Sequence, residues 1–525
     1  MDRDVVGVDF GTATTLVSER ASDTPATILP LGQATNWLPS TVRVEGASLL
    51  VGEDADLVSP ELVIRSVKRA ITNRSDTFTV PASPGSGQDH VVEVHADEAI
   101  AAVLRETVVR ARAAGVTLGG PRPVRLGCPA MWDGEQRRRL LAIASRAGLP
   151  VAESALIDEP VAAGVAWLSH RYLAAGERPT GRLLVFDMGG GTLDVAVLAV
   201  TGGPQPDIAV QSCLGMPMAG DALDVAIARD LAEEMAQHEV DVTQHPRPEL
   251  AWALLERAAR EAKVRLSHAD EHPVVLPRQL DYPHVLRYRR DQLETAFQSQ
   301  MDGAENLVVS ALRAARLAQE PATVTQLRAI TRADLAAGID FVLLVGGMSR
   351  IPYVARRLAA FFPSARLYDD AGVPPEEAVV AGLADPAGYD QIRLHRPGFD
   401  FVLDCEYGRV VAYQAYTPLF EPWQVYSGYS ALGYERRLRP PEIPTRGFAT
   451  LRAVAGSSQP LRMHLDGQLI DGVPVPLGPD GVMFGLTCDG RIDIVDGLGE
   501  AQAFATEGWP VPGRDHAGPV LHRLR

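Results

Sequence analysis

Apolar and polar positions follow two different rhythms along this chain. Up to about residue 385, short apolar runs that read as buried strands alternate with longer stretches of helical spacing. Leu183–Phe186 and Val195–Val200 are two such runs, and DMGGGTLD lies between them. Glycines permit positive φ and close backbone approach, so this segment predicts a strand, a tight turn and a second strand. VVGVDFGTATTLV, residues 5–17, predicts the same arrangement. Helices are expected over 97–114, 135–149 and 249–267, the second closed by Gly148. VRLGCPA (124–130) reads as a strand ending at Pro129. IDEPVAAGVAWL (157–168) reads as a turn entering a small-residue helix, with Pro160 in its first turn and Glu159 at its exposed start. FVLLVGGMSRIPYVARRLAAFF (341–362) predicts a strand, a Gly-Gly turn and a helix. SDTFTVPASPGSGQDH (75–90) reads as a mobile surface loop.

From about Gly388 glycine and proline rise and the helical spacing stops. Short alternating segments such as RVVAYQAY, FATLRAVA and VMFGLTCDGRIDIVDG predict a small β-sandwich. The expected organisation is an α/β domain over 1–387, a linker over 388–397, a β-rich domain over 398–500 and a flexible, Pro/Gly-rich tail over 501–525.

Composition narrows the function. Hydrophobic residues at 46% and charged residues at 22% are those of a soluble globular chain. A net charge of −16 would repel polyanions, so neither nucleic acid nor an anionic membrane is expected as a partner. The four cysteines, Cys128, Cys213, Cys405 and Cys488, form no CxxC pair, so neither a zinc site nor a disulfide framework is predicted. The acidic, strand-like start does not read as a signal peptide, and no apolar run approaches the ~20 residues that span a bilayer. A cytoplasmic location is expected.

The two hairpins share a pattern. Each carries an aspartate (Asp9, Asp187), one spacer, a glycine (Gly11, Gly189) and then a threonine. Amides in glycine turns form anion-binding nests, and aspartates at strand ends can hold Mg²⁺ through water. Two such turns facing one cleft would clamp a triphosphate from both sides. No GxxxxGK[ST] occurs, and a strand follows each turn where a dinucleotide fingerprint needs a helix. Two plain β-hairpins are the competing reading. On spacing alone Glu159 reads as a helix-start charge favoured by the dipole, and the Gly346–Gly347 turn as either a ligand contact or a bare βα turn.

In order and spacing these motifs resemble the nucleotide-binding domain of the heat-shock protein 70 (DnaK) chaperone family over roughly residues 4–385. VGVDFGTATT is similar to its first phosphate loop, VFDMGGGTLDV to its second, IDEPVAAGVAW to its connecting helix, LLVGGMSRIP to its adenosine loop and PEEAVVAGLA to its closing helix. The resemblance implies a two-lobed, actin-like ATPase domain, a duplicated ribonuclease-H-like fold, followed by a small β-sandwich. It implies that Asp9 and Asp187 hold hydrated Mg²⁺, and that Gly11, Thr12, Ala13, Thr14, Gly189, Gly190, Gly191 and Thr192 wrap the phosphates of ATP or ADP. Lys68, in SVKRAIT, matches the catalytic lysine, and Glu159 would orient the attacking water. Thr192 would help align that water. Asp194 matches an acid that helps bind a monovalent cation such as K⁺. Gly220 matches a glycine near the nucleotide, and Lys263, Ser267, Gly346, Gly347, Met348 and Arg350 would flank adenosine. Pro129 and Arg137 match residues that relay nucleotide state to the substrate domain.

Several positions depart from that pattern. Ala13 removes a hydroxyl from the first loop, Arg260 stands where the family usually has glutamate, Val264 where some members have a basic residue, and Met348 where a small polar residue is usual. FVLD (401–404) echoes the apolar linker, and IPTRGFATLRAV and VMFGLTCDGRIDIV faintly resemble the peptide-binding subdomain. No helical lid is expected after the sandwich. The leading expectation is a slow ATPase of chaperone type that couples ATP hydrolysis to binding of a protein or peptide client, with co-chaperones. The alternatives are a regulatory or scaffold ATPase of the same fold serving one dedicated partner, and a small-molecule kinase, for which no catalytic aspartate is evident.

Overall fold

The computed structural model describes residues 5–20, 25–46, 48–57, 60–83, 91–120, 122–203, 207–317, 324–385, 397–419, 433–455, 459–487, 490–507 and 517–524. The first predicted hairpin is β1 (Val5–Phe10) and β2 (Thr14–Arg20), antiparallel from Val5 opposite Arg20 to Phe10 opposite Thr15. On the other side of β1, β3 (Val124–Cys128) and β4 (Leu156–Asp158) add in parallel. The short strand Thr27–Ile28 lies beyond β2. A second sheet repeats this order. β5 (Gly181–Met188) and β6 (Leu193–Thr201) form the second hairpin, with β7 (Asp207–Met216) beyond β6. β8 (Phe341–Val345) and β9 (Arg366–Tyr368) follow β5 in parallel. The repeated sheet order divides the α/β region into a pair of related lobes.

Helices cover both sheets because strands buried on both faces need apolar partners on each. In lobe I, α1 (Ala96–Ala113) and α2 (Gly134–Arg146) share a core with Val6, Val8 and Phe10. In lobe II, Leu184, Phe186 and Met188 pack against α4 (Gly220–Gln237), α5 (Pro248–Leu266), α6 (Arg290–Leu317) and α7 (Pro352–Phe361). The opposite face, Leu183 and Val185, meets α3 (Glu159–Ala166) and α8 (Ala378–Leu383). A Cβ on Gly382 of α8 would lie 1.8 Å from the Ala162 carbonyl of α3, so glycine is what lets these helices cross. α8 also lies on β1, where a Cβ on Gly7 would meet Leu383 at 2.7 Å. No described helix is long and apolar enough to cross a membrane.

The C-terminal region is a sandwich of two antiparallel-rich sheets. One has the order β11-β10-β13-β16, from Gly408–Tyr413 (β11), Asp400–Cys405 (β10), Phe448–Val454 (β13) and Val473–Pro476 (β16). The other runs β12-β17-β18-β19-β20-β14-β15: Gly433–Leu438, Val482–Thr487, Ile492–Val495, Ala501–Glu507, Ala517–Leu524, Arg462–Leu465 and Gln468–Ile470. Phe399, Phe401, Phe484, Phe504 and Leu521 fill the space between them.

Four expectations are corrected. Within the expected tail 501–525, residues 501–507 and 517–524 are strands, and the remainder lies outside the described residues. β19 and β20 are built into the larger sheet, with Phe504 and Leu521 in the core, so the β-domain runs to at least residue 524. A Pro/Gly-rich composition concealed two strands whose apolar positions are filled by alanine, phenylalanine and leucine. FVLD is not a linker but belongs to β10, paired with both β11 and β13. In the expected loop 75–90, Thr77–Pro81 is a strand paired with Val91–His95, and 84–90 lie outside the described residues. Residues 157–158, read as a turn, belong to the parallel strand β4. The expected linker falls outside the described residues except for Pro397.

The sandwich docks on the start of α2. Gly134 N donates to Ala415 O at 2.7 Å, and Arg138 reaches Asp400 at 3.3 Å.

Candidate nucleotide site

Both hairpins close with the same bond: Gly11 N to Thr14 O at 2.9 Å in lobe I, and Gly189 N to Thr192 O at 3.1 Å in lobe II. The turns face one another across the gap between the lobes. A Cβ built on Gly190 would lie 3.4 Å from Thr12 Cβ, and one on Gly191 would lie 2.7 Å from Thr12 Oγ1. The facing turns border a cleft of about 430 Å³.

Asp9 and Asp187, at the ends of β1 and β5, reach its floor together with Lys68 and Glu159. Lys68 precedes the single helical turn Arg69–Thr72, and Glu159 opens α3. Both are buried, and Lys68 Nζ donates to Glu159 Oε1 at 2.5 Å. Burial opposes the Lys68 charge, but Glu159 and Asp9 outweigh it and hold the ammonium above its ordinary value. Asp9 is pushed up to about 7 by burial and then by Glu159. Asp187 is raised well above the carboxylate range by burial, Glu159, Asp194 and Asp9. Three carboxyls thus share the floor with one lysine, and burial and mutual repulsion resist ionising them all, a cost that a bound divalent cation would relieve. Two carboxylates with room for water match how Mg²⁺ binds, since it gives up its hydration shell reluctantly.

The outer wall of the cleft comes from α4, α5 and the β8–α7 turn. Lys263 Nζ donates to Gly220 O at 3.0 Å and lies 2.6 Å from Asp224. Arg260 also pairs with Asp224, at 3.3 Å. Ser267, Val264, Gly346, Gly347 and Met348 complete this wall. Arg350 is fixed by Glu376 through Nε at 3.0 Å and Nη2 at 2.6 Å. Gly346 has φ 80°, and a Cβ there would lie 2.4 Å from Met188 O, so the β8 turn can approach β5 only as glycine.

Of the residues named from sequence, Gly11, Thr12, Ala13, Thr14, Gly189, Gly190, Thr192 and Gly220 line this cleft alongside the floor and wall residues. Gly191 backs the turn against Thr12. Asp194 is buried behind the second loop, where its Oδ1 accepts from Ala130 N at 2.8 Å. It is set back from the cleft surface and bonds to the side chain of Thr192, which lines the cleft. Burial and Glu159 push it up to about 7. Pro129 and Arg137 lie outside the cleft. Arg137 is buried, pairs with Asp158, and has its guanidinium 4.6 Å from the Tyr416 ring. Sequence reading passed over Trp37, Asp221, Asp224 and Glu376, which also line the cleft. Asp221 and Asp224 sit in AGDALD and Glu376 in PEEAVVAGLA, segments singled out for other residues. Nothing around Trp37 marked it.

A family model described as "Hsp70 protein" matches residues 5–389. The chain belongs to the Hsp70 family. Within it, the chain is similar to the chaperone protein DnaK of Thermotoga neapolitana, 28% identical over 432 residues that cover 80% of this chain and 65% of that protein. It is also similar to DnaK of Deinococcus deserti, 31% identical over 412 residues, 74% of this chain and 59% of that protein. The chain thus spans less than two-thirds of the length of these curated relatives. The Hsp70 match covers both lobes and every cleft residue named above.

Proposed function

We propose that this Hsp70-family chain binds Mg-ATP between its lobes, hydrolyses it slowly to ADP and phosphate, and uses the nucleotide state to control protein or peptide binding by its β-domain. The observation that carries this reading is the pair of glycine turns, closed by the same hydrogen bond, that border one cleft with Lys68, Glu159, Asp9 and Asp187. The turn amides would grip the phosphates. Asp9 and Asp187 would hold hydrated Mg²⁺, which when bound neutralises phosphate charge. Phosphoryl transfer needs charge neutralisation and an aligned nucleophile more than covalent help. Lys68 supplies a fixed positive charge toward the terminal phosphate. Glu159 orients the attacking water and Thr192 helps align it. Lys263, Ser267, Gly346, Gly347, Met348 and Arg350 would hold the nucleoside.

Coupling to the β-domain has a physical route. Glu159 follows Asp158, and Asp158 holds Arg137 under Tyr416 of the docked sandwich. Asp194 ties the second phosphate loop to Ala130, next to Pro129. A shift at the phosphates would reach the docking face through these two contacts. A monovalent cation such as K⁺ would sit near Asp194, and co-chaperones would act on the cycle from outside.

The test is the ATPase rate with and without an unfolded peptide, alongside Lys68→Ala. Hydrolysis that peptide stimulates and Lys68→Ala abolishes supports the proposal. Hydrolysis indifferent to peptide, with one protein partner captured stoichiometrically, points instead to a scaffold ATPase serving that partner.

A further inference from the structure

Ser66, Arg69 and Asp221 make a contact that none of the roles above uses. Ser66 belongs to lobe I and has φ 53°, a left-handed conformation that residues with a Cβ seldom adopt. Such a conformation persists where the surroundings over-determine it. Ser66 Oγ donates to Asp221 Oδ2 at 2.6 Å, and Arg69 Nη1 reaches the same oxygen at 3.4 Å. Asp221 belongs to lobe II. It lies in the first turn of α4, and its amide donates to Gly190 O of the second phosphate loop at 2.7 Å.

The four residues Ser66–Arg69 form one closed turn, with Arg69 N bonded to Ser66 O at 2.9 Å. Both ends of that turn are pinned to Asp221 across the gap. Lys68, between them, points down to Glu159. Asp221 and Lys68 line the same cleft. Separating the lobes would break both bonds to Asp221 and release the turn that carries Lys68.

We propose that Asp221 is a positioning residue that clasps the two lobes over bound nucleotide and fixes the Lys68 turn. The clasp controls how fast nucleotide leaves and how well Lys68 is aligned. This rests on the nucleotide reading above. An acid in the first turn of a helix also favours the dipole, but that role alone would leave nucleotide release and Lys68 untouched.

The experiment follows release of a fluorescent ADP analogue and hydrolysis of ATP in wild type, Asp221→Ala, Ser66→Ala, Asp221→Asn and the double variant Ser66→Ala/Asp221→Ala. Losing a hydrogen bond to a charged group predicts release about tenfold faster in Asp221→Ala, with kcat lowered more than KM is raised. Asp221→Asn keeps an acceptor for Ser66 and falls in between. The double variant releases no faster than Asp221→Ala, because the two changes remove one shared contact. Unchanged release in Asp221→Ala, or fully additive effects, overturns the clasp. Hydrogen exchange at the Arg69 amide in nucleotide-free protein separates the two proposals. Faster exchange in Asp221→Ala supports the clasp even if wild type binds no nucleotide, and unchanged exchange counts against it whatever the nucleotide result.

Discussion

Asp158 and Glu159 are consecutive in the chain but serve two different buried charge pairs. Glu159 holds Lys68 on the floor of the cleft, and Asp158 holds Arg137 beneath Tyr416 of the β-domain. Strand geometry explains this, because β4 ends at Asp158 and α3 begins at Glu159, so adjacent side chains diverge.

The Arg137–Asp158 pair is 2–3% exposed on both sides. Removing one partner leaves an uncompensated buried charge, so Asp158→Ala should cost roughly 3–5 kcal/mol of unfolding free energy. Tyr416→Ala leaves the pair intact but removes the ring over Arg137, so the docking that Gly134–Ala415 and Arg138–Asp400 still hold should loosen. Denaturant melts measure the first effect, and small-angle scattering reads the second as a larger radius of gyration.

Lys68→Ala should lower the hydrolysis rate on the order of 10²-fold or more, as loss of a preorganised charge does elsewhere. Binding of Mg-ATP should survive, because the glycine turns and both aspartates remain. Single-turnover hydrolysis with a parallel binding titration distinguishes the two effects.

Much of this site was legible in the sequence. The paired acid-and-glycine turns, with strands where dinucleotide folds have a helix, marked both candidate phosphate loops, and the structure forms these turns with the same closing bond. Glu159 was different. Its spacing fitted an ordinary helix-start charge, and only the fold brings it to Lys68, 91 positions away. Asp221 was hidden because acids in a first helical turn are common, and Asp224 because an acid in the next turn reads as an ordinary helix-face charge. The strands at 501–507 and 517–524 were hidden by composition, since local glycine and proline signalled a loose end, and the second of them also pairs with a distant strand, Arg462–Leu465.

Truncation after residue 500 should therefore unfold the β-domain. It removes Phe504 and Leu521 from the core and strips β18 and β14 of one paired neighbour each. Loss of one buried phenylalanine alone costs about 3–5 kcal/mol. Limited proteolysis should digest residues 398–500 of the truncated protein while sparing the lobes.

Asp9 and Asp194 are each pushed up to about 7, chiefly by burial. A carboxyl raised in the folded state binds protons that the unfolded chain has already released. Stability of the Mg²⁺-free, nucleotide-free protein should therefore fall as pH rises from about 4 through about 7, and Asp187, raised by the same burial, adds to the fall. Saturating Mg-ATP should flatten that slope, because the aspartates it engages are held ionised. Chemical melts across this pH range, with and without Mg-ATP, check the sign.

The central claim is that one Mg-bound triphosphate sits between the two aspartate-bearing turns. Thermal unfolding with Mg-ATP tests it most directly. At a ligand concentration 100-fold above Kd, binding should add about 2.7 kcal/mol of stability to wild type. Most of that gain should vanish in the Asp9→Asn/Asp187→Asn double variant and in wild type with excess chelator. No stabilisation of wild type, or the same stabilisation in the double variant, would contradict the account.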